Sequence, residues 1–378
     1  MEGSPGGSPS VSPPPRSYAA TVANRLVVLE AVGEAFVEAL QRAWEDGDAV
    51  LPLDPRLPDP ARDAVLEAAR VDEPVEPGDA LVVASSGTTG APKAAVLTHE
   101  AVTASALATS HALGVDPDRD RWLACLPLAH VGGLSVVTRA LRTGTPLTVH
   151  PGFDAPAVEA AAEAGCTLTS LVPTALGRID PGLFRTILVG GQAPPLDRPG
   201  HVVATYGMTE TGSGVVYDGI PLDGVEVRIE PDGEIHLRAP MLLRAYRDGT
   251  DPKLPDGWFP TGDLGDLHDG QLHVHGRRGD LIITGGENVW PTAVERALVT
   301  HAGVAEVCVV GRADPEWGQR VVAAVVPHDP SAPPTLKELR EWAKRTLPAY
   351  AAPTAVLVAT SLPRTASGKV RRDLITEG

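Results

Sequence analysis

The residues with chemical potential fall in five short segments separated by long stretches of apolar patterning. The first is Ser85-Ser86-Gly87-Thr88-Thr89-Gly90-Ala91-Pro92-Lys93, which follows an apolar run. Its unbroken row of Ser, Thr and Gly offers hydroxyl donors and a backbone that can approach a polyphosphate closely, and Lys93 adds positive charge. It lacks the Gly-Lys-Ser/Thr of a Walker A loop. A flexible surface turn shares this composition; the strand before it and the lysine after it favour a phosphate loop. The second segment, Tyr206-Gly207-Met208-Thr209-Glu210-Thr211-Gly212, brings together a flat aromatic that can stack on a base, hydroxyls that can donate to phosphate, and a carboxylate. Mg²⁺ usually binds through one or two carboxylates plus substrate phosphates.

The third segment, Gly257-Trp258-Phe259-Pro260-Thr261-Gly262-Asp263, presents a carboxylate between turns that could accept from both ribose hydroxyls; alone, an Asp capping a turn is the favoured reading. The fourth runs Gly276-Arg277-Arg278-Gly279-Asp280 and continues to Ile282-Ile283-Thr284-Gly285-Gly286-Glu287-Asn288. The fifth, Pro363-Arg364-Thr365-Ala366-Ser367-Gly368-Lys369, ends in a lysine that out of context would be read as solvated. His268, His273 and His275 also cluster, but no fourth metal ligand accompanies them and the stretch reads as an ordinary connecting strand.

These segments must be positioned by regular elements. Apolar positions Leu29, Val32, Phe36, Val37, Leu40 and Trp44 predict a helix between Asn24 and Asp46, stopped by Gly47. Strands are expected at 80–84, 121–126, 145–149, 167–172, 185–189 and 201–205, with helices such as 98–113, capped by Thr98, and 154–164 between them. Such alternation with continuous apolar strands argues for an α/β protein with a mostly parallel, covered sheet. After Gly214 the pattern becomes β-rich, with a hairpin of 225–230 and 234–238 around Pro231-Asp232-Gly233 and a strand at 271–275. The last hundred residues read as an α+β module. A helix starts at Pro291, strands follow at 304–310 and 320–326, a capping box of Thr335 and Glu338 opens a second helix, and a strand lies at 355–358.

The chain has 378 residues and a formal net charge of −16, which disfavours nucleic acid or an anionic membrane as a partner. Cys125, Cys166 and Cys308 are widely spaced and odd in number, so neither a disulfide framework nor a CxxC zinc pattern follows, and a cytoplasmic location is expected. No apolar run is long enough for a transmembrane helix, and the N-terminus lacks a signal-peptide pattern. Residues 1–17 are dominated by Pro, Gly and Ser and read as a disordered tail.

Together, the order and spacing of the five segments resemble the acyl-adenylate-forming superfamily of acyl-CoA synthetases, peptide-synthetase adenylation domains and luciferases. The resemblance covers roughly residues 80–373. It implies the adenylate-forming enzyme fold, with a large adenylation domain at 18–278 and a small mobile α+β domain at 279–378. It also implies two half-reactions: a carboxylate and MgATP give an acyl-adenylate and pyrophosphate, and a thiol, such as that of CoA, then attacks the adenylate. Carried over by position, Ser85, Ser86, Gly87, Thr88, Thr89, Gly90 and Lys93 would hold the β- and γ-phosphates. Gly191, Gln192 and Ala193 would pack near the adenine and acyl group. Tyr206, beside Gly207, would stack on adenine, Thr209 would contact the α-phosphate and Glu210 would hold Mg²⁺. Asp263 would bind the ribose hydroxyls beside Arg277, and Lys369 would bridge the carboxylate and α-phosphate. The small domain would swing about Gly279, where many members have Asp or Lys, and Gly285-Gly286 would let a pantetheine arm pass. Arg277, Arg278, Arg371 and Arg372 could meet CoA phosphates; for Arg371 and Arg372 solvated surface charge is an equal reading.

Within the superfamily, Leu126-Pro127-Leu128-Ala129-His130-Val131-Gly132-Gly133, Tyr217-Asp218-Gly219 with Pro221-Leu222-Asp223-Gly224, and Gly285-Gly286-Glu287-Asn288-Val289 look like the compact o-succinylbenzoate–CoA ligases of menaquinone biosynthesis. That likeness implies that His130 lines the acyl pocket; a buried histidine satisfied by backbone is the plainer alternative. The substrate's second carboxylate calls for a cationic or polar partner, since an unpaired buried charge is costly; Arg139, Arg142 and Arg178 are all open. A homodimer is implied by the family alone. Three rivals remain: an adenylation enzyme that loads a carrier protein, an inactive nucleotide-binding protein, and a phosphoryl-transfer enzyme that would release ADP rather than AMP.

Overall fold

The computed structural model of the chain describes residues 24–86, 92–192, 194, 197–364 and 370–376. The expected tail at 1–17 lies outside them. A seven-stranded sheet forms the centre, in the spatial order Ile220–Pro221, Gly214–Tyr217, Val202–Gly207, Thr186–Val189, Leu168–Leu171, Trp122–Ala124, Leu147–Val149. The last five in that row are parallel, as the β/α alternation predicts, and the two beside Val202–Gly207 run antiparallel. Leu168–Leu171 and Thr186–Val189 are buried at every position, including Thr169, Ser170 and Thr186, as strands covered on both faces must be. Val158 and Ala161 of the helix Ala155–Glu163 cover one face of the sheet with Leu123, Leu171 and Ile187. The helix Val131–Thr143 packs against Trp122–Ala124, Leu168–Leu171 and Leu147–Val149.

A second sheet joins Leu26–Leu29, Ala49–Pro52, Asp79–Ser86 and Pro92–Thr98. The first three are parallel, and the last two form an antiparallel pair on either side of residues 87–91. The helical pattern expected from Asn24 holds only from Glu34: the helix is Glu34–Glu45, and Leu26–Leu29 is a strand instead. Its short β-branched run gains a parallel partner in Ala49–Pro52, and Gly33, at φ 64°, breaks the backbone between the two elements. Ala49–Pro52 and a helix at Asp59–Ala69 lie in the proline-rich stretch where sequence patterning showed neither. The helix His99–Ala112 starts as expected, with the Thr98 hydroxyl accepting from Ala101 N at 3.1 Å.

A third, wholly antiparallel sheet contains the expected hairpin, Glu226–Ile229 with Glu234–Arg238, followed by Phe259–His268 and Gln271–Arg277. The fourth belongs to the C-terminal module. Gly318–Pro327 pairs antiparallel with Val304–Asp314 and parallel with Ala355–Val358, and a short hairpin of Ile282–Thr284 and Glu287–Val289 adjoins its start. Helices Pro291–Leu298 and Leu336–Ala343 bury Val294, Leu298, Leu339 and Ala343 against Val309, Val321, Ala323 and Val325. The capping box forms: Glu338 N donates to Thr335 Oγ1 at 3.3 Å, and Thr335 N donates to Glu338 Oε2 at 2.8 Å. Among the described residues no helix is long and apolar enough to cross a membrane.

Candidate active site

The carboxyl ends of the parallel strands gather the expected residues along one edge of the central sheet. Trp122–Ala124 leads to His130, Thr186–Val189 to Gly191 and Gln192, and Val202–Gly207 ends in Tyr206 and Gly207 just before Thr209 and Glu210. Ligands of open parallel sheets bind at this edge, where loops diverge and backbone groups are left to be satisfied. Gly207 is required there by close approach: a Cβ would lie 2.2 Å from Ser213 O and 2.7 Å from Gly214 Cα. Thr209–Thr211 forms one 3₁₀ turn. The Thr211 hydroxyl accepts from Met208 N at 2.9 Å and donates to Ser213 O at 2.6 Å, which fixes the turn that carries Glu210.

Asp263 was expected between turns. It lies instead within the ten-residue strand Phe259–His268, in register with Arg277 of the neighbouring strand, because the apolar and aromatic residues around it find partners on both sides. Arg277 Nε is 2.8 Å from Asp263 Oδ1, and the Tyr206 hydroxyl donates to Asp263 Oδ2 at 2.9 Å. Asp263 N donates to Thr261 Oγ1 at 3.0 Å, and that hydroxyl donates to Ile235 O at 2.7 Å. Burial, then the adjacent Asp263 carboxylate, raises the Tyr206 phenol well above its ordinary pKa. The phenol therefore stays a donor, and Tyr206, 57 residues away in sequence, is tied to Asp263.

Glu210 accepts from the Tyr246 hydroxyl through Oε1 at 2.9 Å, and Lys93 Nζ stands 4.9 Å from the centroid of the same ring. One carboxylate on a short turn, beside the expected triphosphate loop, fits the donor set of an Mg²⁺ that takes its remaining ligands from phosphates and water. Lys93 and Ser85 sit opposite each other on the two strands flanking residues 87–91, and the Ser85 hydroxyl donates to Lys93 O at 3.5 Å. Gly87, Thr88, Thr89, Gly90, Ala193 and Lys369 lie outside the described residues, as does the side chain of Ser86.

His130 is half-buried and caps the helix Val131–Thr143, its carbonyl accepting from Leu134 N at 2.9 Å. Little more than two turns into that helix is Arg139, only 1 % exposed. Its guanidinium lies over the Trp122 ring at 4.8 Å, and Nη2 donates to Ser213 Oγ at 3.0 Å. Nε and Nη1 have no hydrogen-bond partner among the described residues, and burial lowers its pKa. The other two arginines differ. Arg142 meets His99 and stacks on Trp44 at 4.5 Å, and exposed Arg178 lies over Phe153 at 5.2 Å. A signal for Arg139 was legible: it interrupts the apolar face formed by Leu134, Val136, Val137 and Ala140, all buried. No motif marked Tyr246, which is brought to Glu210 and Lys93 only by tertiary folding.

Gly285 and Gly286 form the turn of the hairpin Ile282–Thr284/Glu287–Val289, at φ 59° and 84°. A Cβ on Gly285 would meet Trp317 at 2.6 Å. Gly279 lies in a 3₁₀ turn, Arg278–Asp280, with open space where a Cβ would stand. The arginines considered for CoA phosphates already meet carboxylates: Arg277 that of Asp263, Arg278 those of Asp232 and Glu234 at 3.0 Å, Arg371 that of Asp373 at 2.6 Å, Arg372 that of Glu295 at 2.6 Å. His268 and His275 both meet Asp266, at 2.9 and 2.6 Å, and among the described residues no three His, Cys, Asp or Glu side chains are grouped to hold a metal.

Comparison with known proteins bears on this arrangement. Residues 20–247 match the AMP-binding enzyme family, and residues 293–369 match the AMP-binding enzyme C-terminal domain. A probable 2-succinylbenzoate–CoA ligase of Mycobacterium tuberculosis is 41% identical over 360 residues, spanning 88% of this chain and 92% of that protein. A 2-succinylbenzoate–CoA ligase of Listeria monocytogenes is 35% identical over 329 residues, 79% of this chain and 70% of that one. Among solved structures, the o-succinylbenzoate CoA synthetase of Bacillus subtilis in complex with its acyl-adenylate intermediate superposes with a TM-score of 0.84 at 29% identity, covering 95% of this chain and 89% of that one. The same Bacillus enzyme with ATP and magnesium ion gives 0.82, also at 29% identity, over 93% and 89%.

Proposed function

This chain belongs to the AMP-binding enzyme family, and on that premise we propose its reaction: it is an AMP-forming acid–CoA ligase that activates 2-succinylbenzoate, a step of menaquinone biosynthesis. A carboxylate oxygen of the acid attacks the α-phosphorus of ATP, and pyrophosphate departs with the electron pair of the broken P–O bond. The thiolate sulfur of CoA then attacks the acyl carbon, and AMP leaves.

The chain's own residues serve these steps by holding charge in place. Asp263, oriented by Tyr206 and Arg277, accepts from the ribose hydroxyls, and the Tyr206 ring carries the adenine. Lys93 and the hydroxyls of residues 85–90 hold the β- and γ-phosphates, while Thr209 donates to the α-phosphate. Mg²⁺, when bound to the nucleotide, neutralises phosphate charge, and Glu210 is the carboxylate that would hold it. Lys369 offsets the charge that gathers between carboxylate and α-phosphate, a preorganised contact whose removal typically costs ~10²–10³ in rate. The chain divides at residues 278 and 279. Rotation there brings Lys369 to the site for the first half-reaction and the Gly285-Gly286 turn for the second. ATP and CoA as substrates suit an enzyme of the cytoplasm.

One observation supports the choice of acid above the others: Arg139, a fully buried guanidinium with two nitrogens unpartnered among the described residues. A buried cation left in that state is costly unless a ligand completes it. The second carboxylate of 2-succinylbenzoate would do so, with the Ser213 hydroxyl beside it. His130, at the start of the same helix, is the residue that the family resemblance assigns to the acyl pocket.

The test is release of pyrophosphate and AMP from MgATP with a panel of acids, including 2-succinylbenzoate, benzoates and fatty acids, with and without CoA or a holo carrier protein. CoA-dependent AMP formation only with 2-succinylbenzoate is expected. Turnover confined to another acid would discard the substrate, transfer to the carrier protein alone would discard CoA, and ADP as product would discard the chemistry.

A further inference from the structure

Residues 243–247 lie between the strand Pro92–Thr98 and the turn that carries Glu210, and the reaction scheme above does not use them. Their backbone is bound on both sides. Leu243 N donates to Glu210 O at 2.7 Å, Arg244 N to Val96 O at 2.8 Å, Val96 N to Ala245 O at 2.9 Å, and Arg247 N to Ala94 O at 2.8 Å. Tyr246 forms an antiparallel bridge with Ala95, two residues after Lys93. Its side chain, 8 % exposed, turns one ring face to Lys93 Nζ at 4.9 Å and its hydroxyl to Glu210 Oε1 at 2.9 Å.

Lys93 and Glu210 carry opposite charges and approach the same tyrosine. With nothing between them, a flexible lysine and a nearby carboxylate would pair, and each would then be lost to its ligand until that pair broke. We propose that Tyr246 is a positioning residue that keeps Lys93 and Glu210 apart and poised, offering a π face to the ammonium and a hydrogen bond to the carboxylate. This rests on the reading that Lys93 meets phosphate and Glu210 meets the divalent cation. A cation–π contact at a partly exposed site is weak, so a triphosphate can take the ammonium from the ring without a large penalty. The hydroxyl occupies one lobe of the carboxylate and fixes its plane, and a carboxylate has several lone pairs left for a cation.

The test is equilibrium titration of ATP into the full chain by calorimetry, once with Mg²⁺ and once with EDTA, for wild type, Tyr246→Phe, Tyr246→Leu and Glu210→Gln. Urea unfolding of each apo protein is followed in parallel. Tyr246→Phe keeps the ring and loses the bond to Glu210. Its affinity in EDTA should stay within about twofold of wild type, while the tightening produced by Mg²⁺ falls by about three- to tenfold. Tyr246→Leu should in addition weaken binding in EDTA by about two- to fivefold, the share of the ring face. A purely structural tyrosine would lower both affinities together. Equal losses with and without Mg²⁺, or an unchanged Mg²⁺ effect in Tyr246→Phe, would overturn the proposal. If Glu210→Gln retains the full Mg²⁺ effect, the reading of Glu210 itself fails and the role of Tyr246 falls with it, a result distinct from failure of Tyr246→Phe alone. Should Tyr246→Leu not fold, the Mg²⁺/EDTA comparison in Tyr246→Phe decides the matter.

Discussion

Asp263 and Arg277 stand directly opposite each other on adjacent antiparallel strands, with Arg277 Nε 2.8 Å from Asp263 Oδ1. The sequence shows them as parts of two separate glycine-flanked segments, yet in the fold they form one unit, completed by the Tyr206 hydroxyl on Oδ2. The sheet sets their register, so the carboxylate is oriented before any ribose arrives. Such preorganisation lowers the entropy that binding must otherwise lose. Asp263→Asn keeps the shape, removes the charge and turns one acceptor into a donor facing Arg277. ATP affinity should fall by about tenfold or more, the range expected for hydrogen bonds to a charged group. Calorimetric titration with MgATP checks this, and an affinity equal to wild type would remove Asp263 from the nucleotide site.

Lys369→Ala separates the half-reactions. Pyrophosphate release from acid and MgATP should slow by ~10²–10³, while thiolation of a supplied acyl-adenylate proceeds at nearly the wild-type rate, because the lysine acts only where charge gathers at the α-phosphate. Single-turnover assays of each half-reaction give the answer. Equal losses in both would place the lysine elsewhere in the cycle.

How far the sequence revealed this arrangement depended on whether the signal was local. The capping box of Thr335 and Glu338 and the cap at Thr98 formed as read, because caps are written in three or four neighbouring residues. The central parallel strands were legible too, because short runs rich in Leu, Ile and Val recur between helical stretches. Leu26–Leu29 was misread as helix because Leu29 and Val32 happen to continue the helical spacing of Phe36 and Leu40, and only its pairing with Ala49–Pro52 makes it a strand. Asp263 was placed between turns because Pro260 and Gly262 mask a strand whose evidence lies in its neighbours. Tyr246 carried no signal at all: its partners lie 153 and 36 positions away along the chain.

Gly207→Ala tests how tightly the nucleotide edge is packed. A Cβ at this position would stand 2.2 Å from Ser213 O, a backbone atom that cannot turn aside. The strands must separate locally, at a cost of about 1–3 kcal/mol typical of overpacking. The same shift would move Tyr206 and the Glu210 turn, so urea midpoint and ATP affinity should fall together. A fully stable variant with normal ATP binding would contradict the close approach.

Arg139→Met is the most discriminating substitution for the identity of the acid. Arg139 is 1 % exposed, and Nε and Nη1 find no partner among the described residues. In the absence of substrate its burial is unfavourable, and an apolar side chain of similar length should leave the apo protein equally stable or more so, since replacing a buried charge with a well-packed hydrophobe is often neutral or stabilising. Activity should move the other way. The variant should lose at least about tenfold in kcat/KM for 2-succinylbenzoate, yet change little toward the analogue in which the carboxyl that is not activated is replaced by hydrogen. Arg139→Lys should recover part of the loss, because it restores the charge without the planar fork. The pair of measurements is thermal unfolding of the apo protein and kinetics with the two acids. A parallel loss with both acids, together with a lower unfolding temperature, would make Arg139 a core residue held by Trp122 and Ser213 and leave the second carboxylate without its partner.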